Sequence, residues 1–128
     1  MTLEDHIAKH AAHGGATAIV CGGERITYSR LFADVARRAN ELGGGRRVVA
    51  FPFKPCIESI ERYLAIHLCG CVAAPMPKDA TQDQLDRAAQ RFAHCLLPAD
   101  AADILFTTGS TGKPKAVVWG NATIVANA

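Results

Sequence analysis

The sequence predicts an open α/β sheet, and three observations predict it. Residues 47–51 and 71–75 are short, nearly continuous apolar runs, the pattern of strands covered on both faces. Between them lies an amphipathic stretch, so residues 47–75 form a βαβ unit, which carries a strong right-handed bias. A third apolar run, Ile104-Leu105-Phe106, enters a glycine- and hydroxyl-rich loop and leaves it through the β-branched residues after Lys115, reading as strand, loop, strand. With 128 residues, 49% of them hydrophobic and 20% charged, one small domain is expected, burying roughly two-thirds of its unfolded surface.

In chain order, Thr2-Leu3-Glu4-Asp5 reads as a helix start with acid in the first turn, and Leu3, Ile7, His10 and Ala11 keep helical spacing until Gly14-Gly15. Residues 16–21 and 24–27 are short extended pieces around Gly22-Gly23, a pair suited to the positive φ of a tight hairpin. Thr27 caps a helix from Tyr28 to about Leu42, with Leu31, Phe32, Val35, Ala36, Ala39 and Leu42 on one face, and Gly43-Gly44-Gly45 ends it. In the βαβ unit, the helix over residues 56–68 puts Ile57, Ile60, Tyr63, Leu64 and Leu68 on one side, while Glu58, Glu61 and Arg62 face elsewhere. Thr81-Gln82-Asp83-Gln84 matches a capping box, opening a helix to about His94 that Leu97-Pro98 breaks. Residues 101–103 lead into the glycine-rich segment, and Asn121 or Thr123 caps a final helix.

Several function classes are excluded at this level. Fourteen basic and 12 acidic residues give a net charge of +2, spread without the basic block expected of a nucleic-acid or membrane-surface partner. No apolar run reaches the length of a membrane span and the N-terminus is no secretory signal, so a cytoplasmic protein is expected. Five cysteines without a CxxC pair argue against a disulfide framework and a structural zinc site; His67, Cys69 and Cys71 read as packed side chains rather than metal ligands. His6, His10 and His13 share a helix face but lack an HExxH arrangement, and no serine sits in a GxSxG elbow. Gly109 and Gly112 do not make a Walker A loop, because Pro114 stands where a hydroxyl should follow Lys113. Gly43-Gly44-Gly45 precedes a strand, so it is no dinucleotide fingerprint.

The loop itself is shaped for a polyanion. Glycines let successive backbone N–H groups converge into a nest, Thr107, Thr108, Ser110 and Thr111 add donors, and Lys113 and Lys115 add positive charge. On these residues alone a solvated hairpin turn remains the alternative.

Thr107-Thr108-Gly109-Ser110-Thr111-Gly112-Lys113-Pro114-Lys115 resembles, position by position, the phosphate-binding motif of the adenylate-forming superfamily: acyl- and aryl-CoA synthetases, nonribosomal peptide synthetase adenylation domains and luciferases. Ile26-Thr27-Tyr28-Ser29-Arg30-Leu31 is similar to that family's entry to its first long helix, residues 47–50 to its following strand, and residues 65–75 to its small-residue stretch ending in proline. The sequence departs from the pattern at Ala116, where glycine is usual, and at Asn121, where histidine is common. The resemblance implies the N-terminal part of a large adenylation domain, with a partial, mostly parallel sheet and flanking helices. It implies ATP and magnesium as cofactors, an unidentified carboxylic acid as substrate, and CoA or a carrier protein as a possible thioester acceptor. Thr107, Thr108, Gly109, Ser110, Thr111, Gly112, Lys113 and Lys115 would hold the ATP phosphates, with the magnesium ligand mostly outside the chain. Family members are several times longer, so residues 1–128 are expected to be a single partial domain, inactive alone, that pairs with a complementary C-terminal chain or self-associates. The competing expectation is a non-catalytic domain that binds a nucleotide or phosphate, or docks on a partner.

Overall fold

Gly22 and Gly23 have φ of 57° and 84°, the left-handed region that a two-residue hairpin turn requires and that side-chain-bearing residues avoid. They join β1 (Thr17–Cys21) to β2 (Glu24–Thr27) as the expected antiparallel pair. The computed structural model of the chain describes residues 5, 9, 15–93, 97–108 and 114–120. Asp5 and Lys9 are both helical; the rest of the expected first helix, and the final one, lie outside the described residues.

Helix α1 (Tyr28–Leu42) has the predicted boundaries, and its cause is visible: Thr27 stays extended and its hydroxyl accepts from Arg30 N at 3.3 Å. At the other end the Arg47 guanidinium donates to the carbonyls of Leu42, Gly43, Gly44 and Gly45 at 2.8 to 3.4 Å, satisfying acceptors that a helix end leaves open. Strand β3 (Val48–Pro52), helix α2 (Ile57–Leu68) and strand β4 (Val72–Met76) form the expected βαβ unit, with β3 and β4 parallel from Val48 opposite Val72 onward. Helix α3 (Gln82–Arg91) starts from the full capping box, Thr81 N to Gln84 Oε1 at 2.9 Å and Gln84 N to Thr81 Oγ1 at 3.2 Å. It stops at Arg91, short of the expected end near 94, because Phe92 leaves helical geometry and tucks under the sheet.

Strand β5 (Ala101–Thr108) begins three residues earlier than the apolar run at Ile104 predicts; it pairs parallel with β4 and antiparallel with β6 (Pro114–Gly120). The sheet order is β3-β4-β5-β6, a mostly parallel sheet. Successive residues of β3 and β4 alternate between its two covered faces. Phe51, Cys71 and Ala73 pack with Ile66 of α2, whereas Val72, Ala74, Ala101 and Ile104 pack with Phe92 on the opposite face. Helix α1 then packs on α2 through Leu31, Val35 and Ala65. Val35 and Ile104 are 0% exposed, each contributing about 2 kcal/mol relative to an exposed position.

Glu61 departs from expectation: it is 5% exposed, not on an outer face. The reason is that α2 is covered on two sides, by the sheet and by α1, from which Arg38 reaches to within 3.5 Å of Glu61 Oε1. Burial, then a hydrogen bond and repulsion from the Asp34 carboxylate, push the Glu61 carboxyl up to about 7. Among the described residues Arg38 Nε and Glu61 Oε2 have no hydrogen-bond partner; a proton on Glu61 gives Oε2 a bond to donate.

Candidate functional site

Because β3, β4 and β5 run parallel, their carboxyl ends share one edge of the sheet. Phe53 and Lys54 leave β3 there, Pro77 and Lys78 leave β4, and Thr107 and Thr108 end β5. Helices α2 and α3 follow β3 and β4, so their amino ends, with the partial positive charge of unpaired N–H groups, lie toward the same edge. Lys54 and Lys78 are exposed, adding full positive charge. Ligands of open α/β sheets bind outside the carboxyl ends of the strands, and an anion suits this edge electrostatically.

The predicted site residues divide. Thr107 and Thr108 are the last residues of β5, and Lys115 is the second of β6. The ladder sets Thr107 opposite Lys115 and Thr108 opposite Pro114, so the two arms of the motif are brought together as neighbouring strands. Gly109, Ser110, Thr111, Gly112 and Lys113, which connect them, lie outside the described residues.

What fixes the strand leading into this connection is a feature the apolar pattern did not announce. Asp103 on β5 is 4% exposed, and its carboxylate is held by two residues of α2. Tyr63 Oη donates to Oδ2 at 2.6 Å, and His67 Nε2 lies 2.7 Å from Oδ1. The Tyr63 and His67 rings also stack at 4.6 Å, tilted by 59°. Burial first, and then the bond to the Asp103 carboxylate and its charge, raise the Tyr63 hydroxyl far above its ordinary range, so it stays a donor. On the opposite face Phe106 meets Phe92 at 6.1 Å, and the Arg91 guanidinium lies 5.5 Å and 5.9 Å from the two ring centroids, within cation–π reach. Strand β5 is therefore clamped from both sides just before the motif. The one sequence signal for this was an acid directly before an apolar strand; its partners stand 36 and 40 positions away.

His67 is thus committed to Asp103, while Cys69 Sγ and Cys71 Sγ donate to the carbonyls of Ala39 and Gly45 at 3.1 Å, as packed side chains. Among the described residues no three His, Cys, Asp or Glu side chains gather to hold a metal ion. Among them, too, no helix is long and apolar enough to cross a membrane.

No family model and no curated protein matches the chain. Solved structures do. The N-terminal subdomain of NpsA from Klebsiella oxytoca superimposes with a TM-score of 0.72 at 19% identity, over 94% of this chain and 42% of that one. The same subdomain in complex with 3-hydroxybenzoyl-AMSN gives 0.70 at 20% identity, over 94% and 41%. The o-succinylbenzoate CoA synthetase MenE from Bacillus subtilis, in complex with its acyl-adenylate intermediate, gives 0.69 at 17% identity over 94% and 42%. The nonribosomal peptide synthetase FmoA3, bound to α-methyl-L-serine-AMP, gives 0.68 at 19% identity over 94% and 18%. The chain has the fold of the NpsA N-terminal subdomain, shared by the matching parts of MenE and FmoA3. It spans about two-fifths of the length of the NpsA and MenE chains it matches.

Proposed function

We propose that the chain supplies the ATP phosphate-binding part of a carboxylic acid–AMP ligase, descended from the adenylate-forming enzymes whose fold it shares. The observation that carries this is the nine-residue motif from Thr107 to Lys115, its arms paired in register at the carboxyl edge of the sheet. Backbone N–H groups of Gly109 to Gly112 and the hydroxyls of Thr107, Thr108, Ser110 and Thr111 would hold the β- and γ-phosphates, with Lys113 and Lys115 adding positive field. This donor set fits a polyphosphate. Magnesium, when bound, would neutralise phosphate charge; its ligands are assigned to sequence outside this chain. The acid pocket and the acceptor, CoA or a carrier protein, are assigned there as well, in a complementary chain or a longer product that completes the domain. Residues 1–128 would then form one partial domain of a cytoplasmic enzyme.

The test is acid-dependent exchange of labelled pyrophosphate into ATP, measured on this chain alone and together with a complementary C-terminal portion of an adenylation domain. We expect exchange only in the completed protein, and a loss of about a hundredfold on replacing Ser110 and Thr111 by alanine, on the scale of lost oxyanion donors. If the completed protein binds ATP without exchange in the presence of a broad panel of acids, the non-catalytic binding domain is the correct reading.

A further inference from the structure

Four of the five cysteines lie among the described residues, and these four fall into two chemically different pairs. Cys69 and Cys71 pack beside the sheet; burial raises the Cys69 thiol, and both donate to backbone carbonyls. Cys21 and Cys56 are half-buried at the opposite end of α2. Cys21 is the last residue of β1, beside Gly22, and its thiol donates to the Pro55 carbonyl at 3.0 Å. In a trans peptide that oxygen lies about 2.8 Å from the next Cα. Cys21 Sγ is therefore no more than about 6 Å from the Cys56 Cα, which leaves formation of the S–S bond to side-chain rotation and a small backbone shift. Cys56 is the N-cap of α2, with Sγ 3.4 Å from Ser59 Oγ. We infer that Cys21 and Cys56 form a peroxide-sensitive dithiol site, closing to a disulfide that staples the β1–β2 hairpin to the start of α2.

The Ser59 hydroxyl, then its backbone N–H, hold the Cys56 thiol below its ordinary range, with the Lys54 charge adding to them, so Cys56 is the attacking sulfur. Its thiolate attacks one oxygen of hydrogen peroxide: the S–O bond forms, the O–O bond breaks, and hydroxide leaves and is protonated to water. Cys21 then loses its proton and attacks the Cys56 sulfenic acid, forming the S–S bond while the sulfenic oxygen leaves as a second water. Two thiols are oxidised and one peroxide is reduced to two waters.

The reduced 128-residue chain is treated with hydrogen peroxide at neutral pH, and free thiols and non-reduced peptide masses are followed. A Cys21–Cys56 linked peptide within one molecule, lighter by two hydrogens, is the expected first product. C21S should stop at a dimedone-reactive sulfenic acid on Cys56, and C56S should slow the first thiol loss about tenfold. Circular dichroism verifies that both variants fold; if either does not, Ser59→Ala, which leaves both thiols in place, should slow linkage several-fold. A wild-type chain that yields no such intramolecular peptide, or a folded C56S oxidised at the wild-type rate, overturns the assignment.

Discussion

Helix α2 buries two ionisable clusters on its two covered sides, and they are solved differently. Toward the sheet, Asp103 receives the Tyr63 hydroxyl and His67, at 2.6 and 2.7 Å, so both its carboxylate oxygens are used. Toward α1, Glu61 meets Arg38 at 3.5 Å and, among the described residues, leaves Oε2, with Arg38 Nε, short of partners. A satisfied network in a low-dielectric setting locks one arrangement; an unsatisfied one responds to its protonation state instead. The locked cluster is the one on the strand that runs into the Thr107–Lys115 motif.

The contrast is broken most severely at Asp103. Asp103→Ala leaves a half-buried tyrosine and a buried histidine without that acceptor, and we expect a loss of about 3 kcal/mol in urea unfolding. Asp103→Asn, which keeps an acceptor for Tyr63, should lose less. A smaller effect, on the order of 2 kcal/mol, is expected from pH at the other cluster. The folded Glu61 carboxyl sits at about 7 against an ordinary 4.5. The folded chain therefore holds this proton more tightly than the unfolded chain. Its contribution to stability is complete below pH about 4.5 and lost as pH rises through about 7. Glu61→Gln should flatten that window in unfolding midpoints measured from pH 5 to 8. Asp34 has the opposite sign: the Glu61 hydrogen bond first, then Arg30, hold it low, so its contribution falls away only as the solution becomes more acid than its ordinary 3.8. The smallest effect is expected for Arg38→Met at pH 6, where Glu61 is mostly protonated and the change should stay within about 1 kcal/mol. At pH 8 the same variant should be distinctly less stable than the wild type, because a buried carboxylate has lost its cation.

Local chemistry was legible and long-range chemistry was not. Thr27 and the Thr81–Gln84 box place the starts of α1 and α3, because a cap needs residues only three apart. Gly22-Gly23 places the first hairpin for the same reason. The early start of β5 escapes the apolar pattern because Asp103 is acceptable inside a sheet only with donors supplied from α2. Glu61 likewise reads as an outward residue until Arg38 is set against it. At the site, the motif's residue types announce an anion, but only the strand register shows Thr107 facing Lys115. The placement of Lys54 and Lys78 at the same edge follows from three strands being parallel, which the βαβ unit made legible for two of them.

The position of Asp103 at the β4–β5 junction has a consequence in time as well as in space. The β3–α2–β4 crossover closes within residues 48–76 and the β5–β6 hairpin within 101–120, whereas β4 and β5 meet through Ala73 opposite Asp103, thirty positions apart. Asp103 can be buried at that junction only against the donors that α2 presents, so the junction follows the crossover that positions Tyr63 and His67. On that expectation, substitutions at Asp103 should speed unfolding far more than they slow folding. The strand entering the Thr107–Lys115 motif would then be set in place late in assembly, by a tyrosine and a histidine already positioned on a completed crossover.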